Sequence, residues 1–227
     1  MESNIITTIA TWLVPLIIAI VFHEVAHGLV ARRLGDPTAG AMGRLTLNPL
    51  KHIDPFGTVI LPMALAIAQA PVFGWAKPVP VIKERLRNPR RDMVLVALAG
   101  PGMNLLLAVV ATLIIGVTLS LSPSEPTGAL GFIVQNAVNF LLINIFLAVF
   151  NLIPLPPFDG GHVVEGLLPP SLARPFAALG RYALLILIFL LLILPMISPS
   201  ANVVARLISP IVEAIARFFL GLAGAIG

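Results

Sequence analysis

The sequence predicts an all-α, polytopic membrane protein with about five to six membrane-associated helical segments. Of its 227 residues, 58% are hydrophobic and only 11% are charged, and the mean hydropathy is +1.02. Several uncharged stretches reach about twenty residues, the length of helix that crosses a bilayer core. We expect a single membrane-embedded domain over residues 1–227, with a core at about 5–168 and C-terminal helices at about 180–226.

The apolar runs give the elements in chain order. The first helix is expected over residues 5–34, and further spans are expected at 92–119, 131–153 and 182–198. The tail, 203–226, is less apolar and carries charged residues at helical spacing: Arg206, Glu213 and Arg217. Such a polar stripe leaves two locations open for the tail, across the membrane or in its interface.

The basic residues indicate the orientation of these spans. Ten of the fourteen Lys and Arg fall within two loops, at 32–51 and 77–91, whereas the loop at 120–128 has none and carries Glu125. The positive-inside rule places the two basic loops in the cytoplasm and the third loop outside. Basic loops also solvate helix ends or bind acidic lipids, which points to the same side.

The stretch 55–76 does not fit a simple count of crossings. It is uncharged, yet both of its flanks are basic, so a single crossing would place one basic loop outside. We therefore expect a re-entrant segment, broken by Pro62, Pro71 and Gly74. Irregular backbone at membrane depth is tolerated only beside protein or a wet cavity, which predicts a cavity nearby.

The motif HEVAH lies at the end of the first apolar run. His23 and His27 are four residues apart, so on a helix they share a face, with Glu24 beside them. Two imidazoles in this arrangement bind zinc, and the glutamate serves as a general base. The alternative is a pair of buried, hydrogen-bonded histidines, but ionisable residues in a membrane helix favour a functional role.

A catalytic zinc site usually has a third protein ligand. The candidates in this chain are acidic residues and histidines in the loops: Asp36, His52, Asp54, Asp159, His162 and Glu165. Asp159 follows a span that Pro154, Pro156 and Pro157 end near the membrane. Its alternative role is to cap the short segment 162–168. For His52 and Asp54 we favour a loop turn before Pro55, and His162 is not counted as a ligand.

Three motifs together resemble the site-2 protease family of intramembrane zinc metalloproteases. They are HEVAH, LAGPGMN at 98–104 and NLIPLPPFDGG at 151–161, and GRLTLNPLKHIDPFGT and FGWAKPVPV also look like the short prokaryotic members. The resemblance covers most of residues 15–165. It implies His23, His27 and Asp159 as zinc ligands and Glu24 as the base. No segment resembles the PDZ or CBS domains of some members.

The predicted topology is consistent with that ligand set. The span 131–153 begins after the outside loop and so ends in the cytoplasm, on the side where His23 lies. The resemblance also implies that Asn151 holds the substrate backbone. Asn104 could supply a second amide, and the alternation in GRLTLNP could give a β-strand for an unwound substrate. For both asparagines the alternative is interhelical hydrogen bonding.

These features predict a zinc-dependent intramembrane endopeptidase in a prokaryotic plasma membrane. Its expected cofactor is one Zn²⁺ per chain. Its expected partners are a transmembrane protein substrate, cut near the cytoplasmic face, and membrane lipid, with no nucleic acid. One alternative is a membrane metal-ion transporter, although the two halves of the chain do not repeat as transporters often do. The other is a zinc-bound scaffold without catalysis, which would need no base such as Glu24.

Overall fold

The structure is a computed structural model that describes residues 5–69, 74–121, 126–198, 202 and 204–226. Five helical stretches are long and apolar enough to cross a membrane: Thr11–Arg33, Pro89–Ser120, Gly128–Asn151, Pro170–Ile197 and Val204–Ile226. No β-strand occurs within the described ranges. The prediction of an all-α, multi-pass membrane protein is confirmed, and the prediction of short β elements is wrong.

The α-helices in chain order are α1 (Ile5–Arg33), α2 (Thr38–Ala41), α3 (Leu61–Ile67), α4 (Pro89–Ser120), α5 (Gly128–Asn151), α6 (Asp159–Leu167), α7 (Pro170–Ala178), α8 (Ala183–Ile188), α9 (Leu194–Ile197) and α10 (Ser209–Ile226). Short 3₁₀ turns lie at Pro49–His52, Lys83–Arg85 and Leu179–Tyr182. Short π-helical turns lie at Pro55–Ile60, Phe189–Ile193 and Val204–Ile208. The long helices α1, α4 and α5 carry the site described below.

Helices α4, α5 and α10 share a core of small and branched apolar side chains. Its buried members include Ala108 and Ala111 of α4, Leu141 and Ile145 of α5, and Ala216 of α10. Small residues let helix backbones approach closely, which is how helices associate within lipid. Because α10 packs into this core and the stretch Val204–Ile226 is long enough to cross, the structure favours the membrane-crossing location for the tail.

The fourth span begins at Pro170 instead of the predicted residue 182. It joins α7, α8 and α9 through 3₁₀ and π turns. The prediction began where the uncharged run begins, after Arg181, whereas the helical stretch continues back through Arg174. Proline is tolerated in the first turn of a helix, so Pro170 does not prevent this earlier start.

The predicted re-entrant segment 55–76 folds back on itself. The backbone N–H of Trp75 donates to the Gly57 carbonyl at 3.1 Å, and the Thr58 hydroxyl donates to the Trp75 carbonyl at 2.8 Å. The two ends of the segment therefore lie side by side, as a hairpin requires. Residues 70–73, with Pro71, and residues 122–125, with Glu125, lie outside the described residues, so the side of the membrane stays a prediction.

The GRLTLNP stretch is a series of turns, not the expected strand. The Thr46 hydroxyl accepts from the backbone N–H of Asn48 at 3.2 Å, and the Asn48 side chain accepts from the N–H of Leu50 at 3.1 Å. His52 then donates from Nε2 to the Thr46 carbonyl at 2.9 Å. Side-chain bonds of this kind compete with regular backbone pairing, which is why alternation alone was misleading here.

Candidate metal centre

Two buried histidines stand one turn apart on α1, with their Nε2 atoms 3.0 Å apart. His23 Nδ1 donates to the side-chain oxygen of Asn104 at 2.6 Å. His27 Nδ1 donates to the backbone carbonyl of Val96 at 2.7 Å. Because a carbonyl oxygen only accepts, each Nδ1 carries the hydrogen, and each neutral ring keeps the lone pair of Nε2 for another partner.

Asp159, the first residue of α6, brings a carboxylate to the same point. Its Oδ2 lies 3.2 Å from His23 Nε2 and 3.3 Å from His27 Nε2, and it is buried without a well-formed hydrogen bond to any described atom. Phe158 occupies the N-cap position, so the structure does not use Asp159 as a cap.

The connection between α5 and α6 fixes this carboxylate in place. Helix α5 ends at Asn151, and tight turns follow, in which Phe158 N–H donates to the Leu155 carbonyl at 3.0 Å. A Cβ added at Gly160 would lie 2.6 Å from the backbone carbon of Leu152, so α6 starts directly against the end of α5. The prolines of this connection remove backbone donors and stop α5 where the turn begins.

The three converging atoms fit a zinc ion. Tetrahedral zinc holds His nitrogen and Asp oxygen at about 2.0–2.2 Å, which places neighbouring ligand atoms about 3.3 Å apart. The observed separations of 3.0, 3.2 and 3.3 Å agree with that distance. Two imidazole lone pairs and an orphaned carboxylate oxygen repel one another unless a cation lies among them. Three protein ligands are also the usual number in a catalytic zinc site.

Helix α4 approaches the histidines closely at Gly100. A Cβ added there would lie 2.6 Å from His23 Cε1 and would overlap the ring of His27. Any side chain at this position would therefore push the rings away. The glycine is needed for clearance, so that α4 can supply acceptors to both histidines at once.

Glu24 lies beside the histidines and faces a cavity of about 730 Å³, which Asp159 and Asn151 also line. Its Oε2 accepts a hydrogen bond from the backbone N–H of Val79 at 2.7 Å. Val79 belongs to the irregular segment 74–82, which lines the cavity. The structure thus brings together a donor set for a metal, a carboxylate next to it and a space for a ligand.

Comparison with known proteins agrees with this arrangement. The sequence profile of peptidase family M50 matches residues 11–195, which include all the residues of the candidate centre. The chain belongs to peptidase family M50, the site-2 protease family. It is therefore a member of a family of zinc metalloproteases, and the predicted resemblance is confirmed.

Similar proteins are known from several bacteria. "Putative zinc metalloprotease YwhC" of Bacillus subtilis is 34% identical over 208 residues, 88% of this chain and 91% of that protein. "Putative zinc metalloprotease Rip2" of Mycolicibacterium smegmatis is 33% identical over 198 residues, 87% of this chain and 69% of that protein. Rip2 of Mycobacterium tuberculosis is 34% identical over 188 residues, 82% of this chain and 67% of that protein. No solved structure matches the chain.

In this member of family M50, Asn104 lies behind His23. It is fully buried, and its Nδ2 donates to the Asn144 side-chain oxygen at 2.8 Å and to the Ala19 carbonyl at 3.3 Å. Asn144 is also fully buried and donates to the Phe140 carbonyl at 2.8 Å. For Asn104 the structure favours the alternative to substrate binding, interhelical hydrogen bonding, because protein atoms occupy its amide.

Asn151 has a different setting from Asn104. It lines the cavity and is half-buried, and its Nδ2 donates to the Leu147 carbonyl one turn earlier in α5 at 3.0 Å. A substrate in the cavity would therefore meet this side chain, and its predicted role in substrate binding stays a prediction. His162 also lines the cavity, with Nδ1 lying 3.6 Å from Glu165 Oε2.

The remaining candidate ligands have partners away from the centre. Asp36 is buried and accepts from the N–H of Ile82 at 2.6 Å. Asp54 accepts from the N–H groups of Phe56 and Gly57 and caps the helical turn that follows. His52 bonds the Thr46 carbonyl, as described, and Glu165 pairs with Lys83 at 2.5 Å.

Sequence reasoning missed two supports of the centre. Asn144 had a recognisable signal, because an amide within the apolar span 131–153 needs a polar partner. The Val79 N–H that holds Glu24 had none, since a backbone donor leaves no trace in residue type and its acceptor is far away in the chain.

Proposed function

We propose that this protein is an intramembrane endopeptidase of the cell membrane, which cuts transmembrane segments of other proteins near the cytoplasmic face. In this proposal His23, His27 and Asp159 hold one zinc ion, Glu24 is the general base, and Asn151 binds the substrate backbone. The observation that carries it is the convergence of the three ligand atoms beside a carboxylate, in a cavity at the end of an apolar span.

Each residue has a defined task in peptide hydrolysis. Zinc, when bound, supplies a Lewis acid that polarises the scissile carbonyl and activates water near neutral pH. Glu24 takes the proton of the attacking water and passes it to the leaving nitrogen. Asn151 offers an amide to a substrate backbone that has lost its helical hydrogen bonds. Asn104 and the Val96 carbonyl keep both histidines in the tautomer that presents Nε2.

The expected depth of the candidate centre in the bilayer supports a substrate within the membrane. His23 lies roughly 27 Å along α1 from Ile5 at about 1.5 Å per residue. With Ile5 taken as the outer edge of a hydrocarbon core about 30 Å thick, this distance corresponds to the cytoplasmic third of the core. The charge of the loops supports this orientation of α1.

The wall of the cavity supports arrival of the substrate through lipid. Ala183, Leu184 and Leu187 of α8 line one side. In the span that contains α8, only 6% of the residues in its most apolar window are buried inside the protein, compared with 39% in the span of α1, so this span is largely exposed. An apolar helix in the bilayer can approach the cavity along this side.

The decisive experiment compares the purified wild type with Glu24→Gln in liposomes, using a single-span substrate and product masses. Glu24→Gln should retain one zinc per chain and lose cleavage, because it removes the base but no ligand. Substrates with Gly, Pro or Asn near the cut should be cleaved faster, since their helices cost less to unwind. Cleavage confined to extramembrane loops, or equal cleavage by Glu24→Gln, would overturn the proposal.

A further inference from the structure

The segment 74–82, here called the strap, lines the cavity as irregular chain and is held by hydrogen bonds to several other parts of the protein. At its start, Lys77 N–H donates to the His52 carbonyl at 2.8 Å. At its end, Ile82 N–H donates to the Asp36 carboxylate at 2.6 Å. Between these two anchors, Val79 N–H donates to Glu24 Oε2 at 2.7 Å. The strap therefore places one backbone donor on the carboxylate beside the metal centre.

Arg44 holds the strap immediately before that donor. Its Nη2 donates to the carbonyl of Lys77 at 2.7 Å and reaches the carbonyl of Pro78 at 3.4 Å. The Pro78 carbonyl and the Val79 N–H belong to the same peptide group, which is planar. A guanidinium that fixes this carbonyl also fixes the direction of the N–H on its opposite side.

Burial of the Arg44 guanidinium costs free energy that packing of its side chain alone does not explain. It is only 7% exposed, its Nε has no hydrogen-bond partner among the described residues, and no described acidic group lies within 4.0 Å of its nitrogens. A buried charge without a counter-charge costs several kcal/mol, roughly, before its hydrogen bonds are counted. The charge is directed at the two strap carbonyls, and the N–H that follows them is directed at Glu24.

We propose that Arg44 is a positioning residue for hydrolysis: it orients the Pro78–Val79 peptide so that the Val79 N–H holds the Glu24 carboxylate in its working rotamer. This inference rests on the proposed role of Glu24 as the base. The hydrogen bond uses Oε2 and leaves Oε1 to take the proton from water. The hydrogen bonds of Arg44 go to the strap carbonyls, and among the described residues none goes to the three proposed ligands.

The test measures kcat, KM, zinc content and the unfolding midpoint for Arg44→Met and Arg44→Lys. Arg44→Met should lower kcat roughly tenfold to a hundredfold, within the contribution of a positioned base, with KM changed less than about twofold and zinc retained. Arg44→Lys should recover part of the loss, because an ammonium can still donate to one strap carbonyl. Arg217→Met is the matched control. Arg217 is exposed on α10, and it forms only a long ion pair with Glu213, at 3.9 Å.

A second pair of variants tests the path through Val79. Val79→Pro removes the N–H, whereas Val79→Ala keeps it and shortens the side chain, so kcat should fall further in Val79→Pro than in Val79→Ala. Arg44→Met should add no further loss to Val79→Pro, because both act through one hydrogen bond. The Val79 pair also gives the answer if Arg44→Met fails to fold.

Three results would overturn the inference: a raised KM with unchanged kcat in Arg44→Met, equal kcat in Val79→Pro and Val79→Ala, or multiplicative losses in the double variant. If Glu24→Gln is inactive while both Arg44→Met and Val79→Pro keep wild-type kcat, only this inference fails. If Glu24→Gln is fully active, the proposed function fails and this inference fails with it.

Discussion

Replacing Gly100 by alanine should empty the metal centre without touching a ligand. The added Cβ would lie 2.6 Å from His23 Cε1, whereas ordinary contacts begin at 3.4 Å, so the ring must retreat by about 0.8 Å. The ring of His27 must move further, since the Cβ would overlap its Nε2 side. Metal ligands tolerate displacements of only about 0.2 Å from their proper distances.

The backbone of α4 cannot absorb this displacement by moving away. A shift of α4 would lengthen the 2.6 Å bond from His23 to Asn104 and the 2.7 Å bond from His27 to the Val96 carbonyl. Loss of such supporting bonds alone costs about 10–100-fold in metal affinity. We therefore expect zinc affinity to fall at least about tenfold, with protease activity falling in parallel.

The assay is zinc retention by the purified protein against a chelator of known affinity, with zinc content measured after equilibration. Gly102→Ala is the matched control, because it lies in the same helix and a Cβ there meets nothing within 4 Å. Both substitutions favour helix by about 1 kcal/mol, so a weakened helix cannot explain a difference between them. Equal zinc affinity in Gly100→Ala and Gly102→Ala would refute the reasoning.

Three further predictions concern the ligands, the topology and the loops. Asp159→Ala should bind zinc far more weakly, because it removes the third ligand atom; full zinc occupancy with unchanged activity would exclude Asp159 from the centre. Single cysteines at Lys51 and Glu84, in a chain without native cysteine, should be labelled from the same side of the membrane and a cysteine at Thr127 from the other; labelling of Lys51 and Glu84 from opposite sides would make 55–76 a true crossing. Burial raises the pKa of Asp36, but its bonds to Thr38 and Ile82 lower it below the ordinary carboxyl value. The ionised Asp36 carboxylate therefore stabilises the folded protein above the ordinary carboxyl pKa, and this stabilisation is lost as pH falls through the lower pKa of the folded state. The unfolding midpoint of the metal-free wild type should fall more steeply on acidification than that of Asp36→Asn. Equal dependence of the two midpoints on pH would contradict this.

The parts of the fold that follow from local composition were predictable. Long apolar runs give the spans because the bilayer requires internally satisfied backbone over a fixed length. The face shared by His23 and His27 follows from helical periodicity alone. The basic charge on both flanks of 55–76 also indicated that this segment folds back. The contacts that join its two ends, such as that of Trp75 with Gly57, could not be predicted in this way.

The parts that depend on contacts distant in the chain were not predictable. The strap shows why, since its bond to Glu24 joins residues 55 apart in the chain. The misread strand at Gly43–Pro49 has a different, local cause: alternation suits a strand, but the side chains of Thr46 and Asn48 accept hydrogen bonds from backbone N–H groups two residues further along. Asn104 was identified by its motif, but only the three-dimensional arrangement separates a substrate contact from a support of His23.

Two helix faces explain why two histidines are stable at the end of an apolar span. On α1, Ala19, His23 and His27 recur at intervals of four residues and therefore lie on one face. On α4 the opposing positions, Val96, Gly100 and Asn104, recur at the same interval. The outer two supply acceptors to the histidines, Asn104 also donates to the Ala19 carbonyl, and the glycine gives clearance.

In this register, the LAGPGMN motif of α4 helps to hold the two histidines in the orientation that a metal requires. Each imidazole has its Nδ1 hydrogen-bonded and its Nε2 directed at the same point, so part of the cost of burying the ring is offset before any metal binds. A one-residue shift of α4 along α1 would remove both acceptors and bring a side chain where Gly100 is needed. Retention of this site therefore constrains the packing of α4 on α1 as strictly as it constrains the ligands themselves.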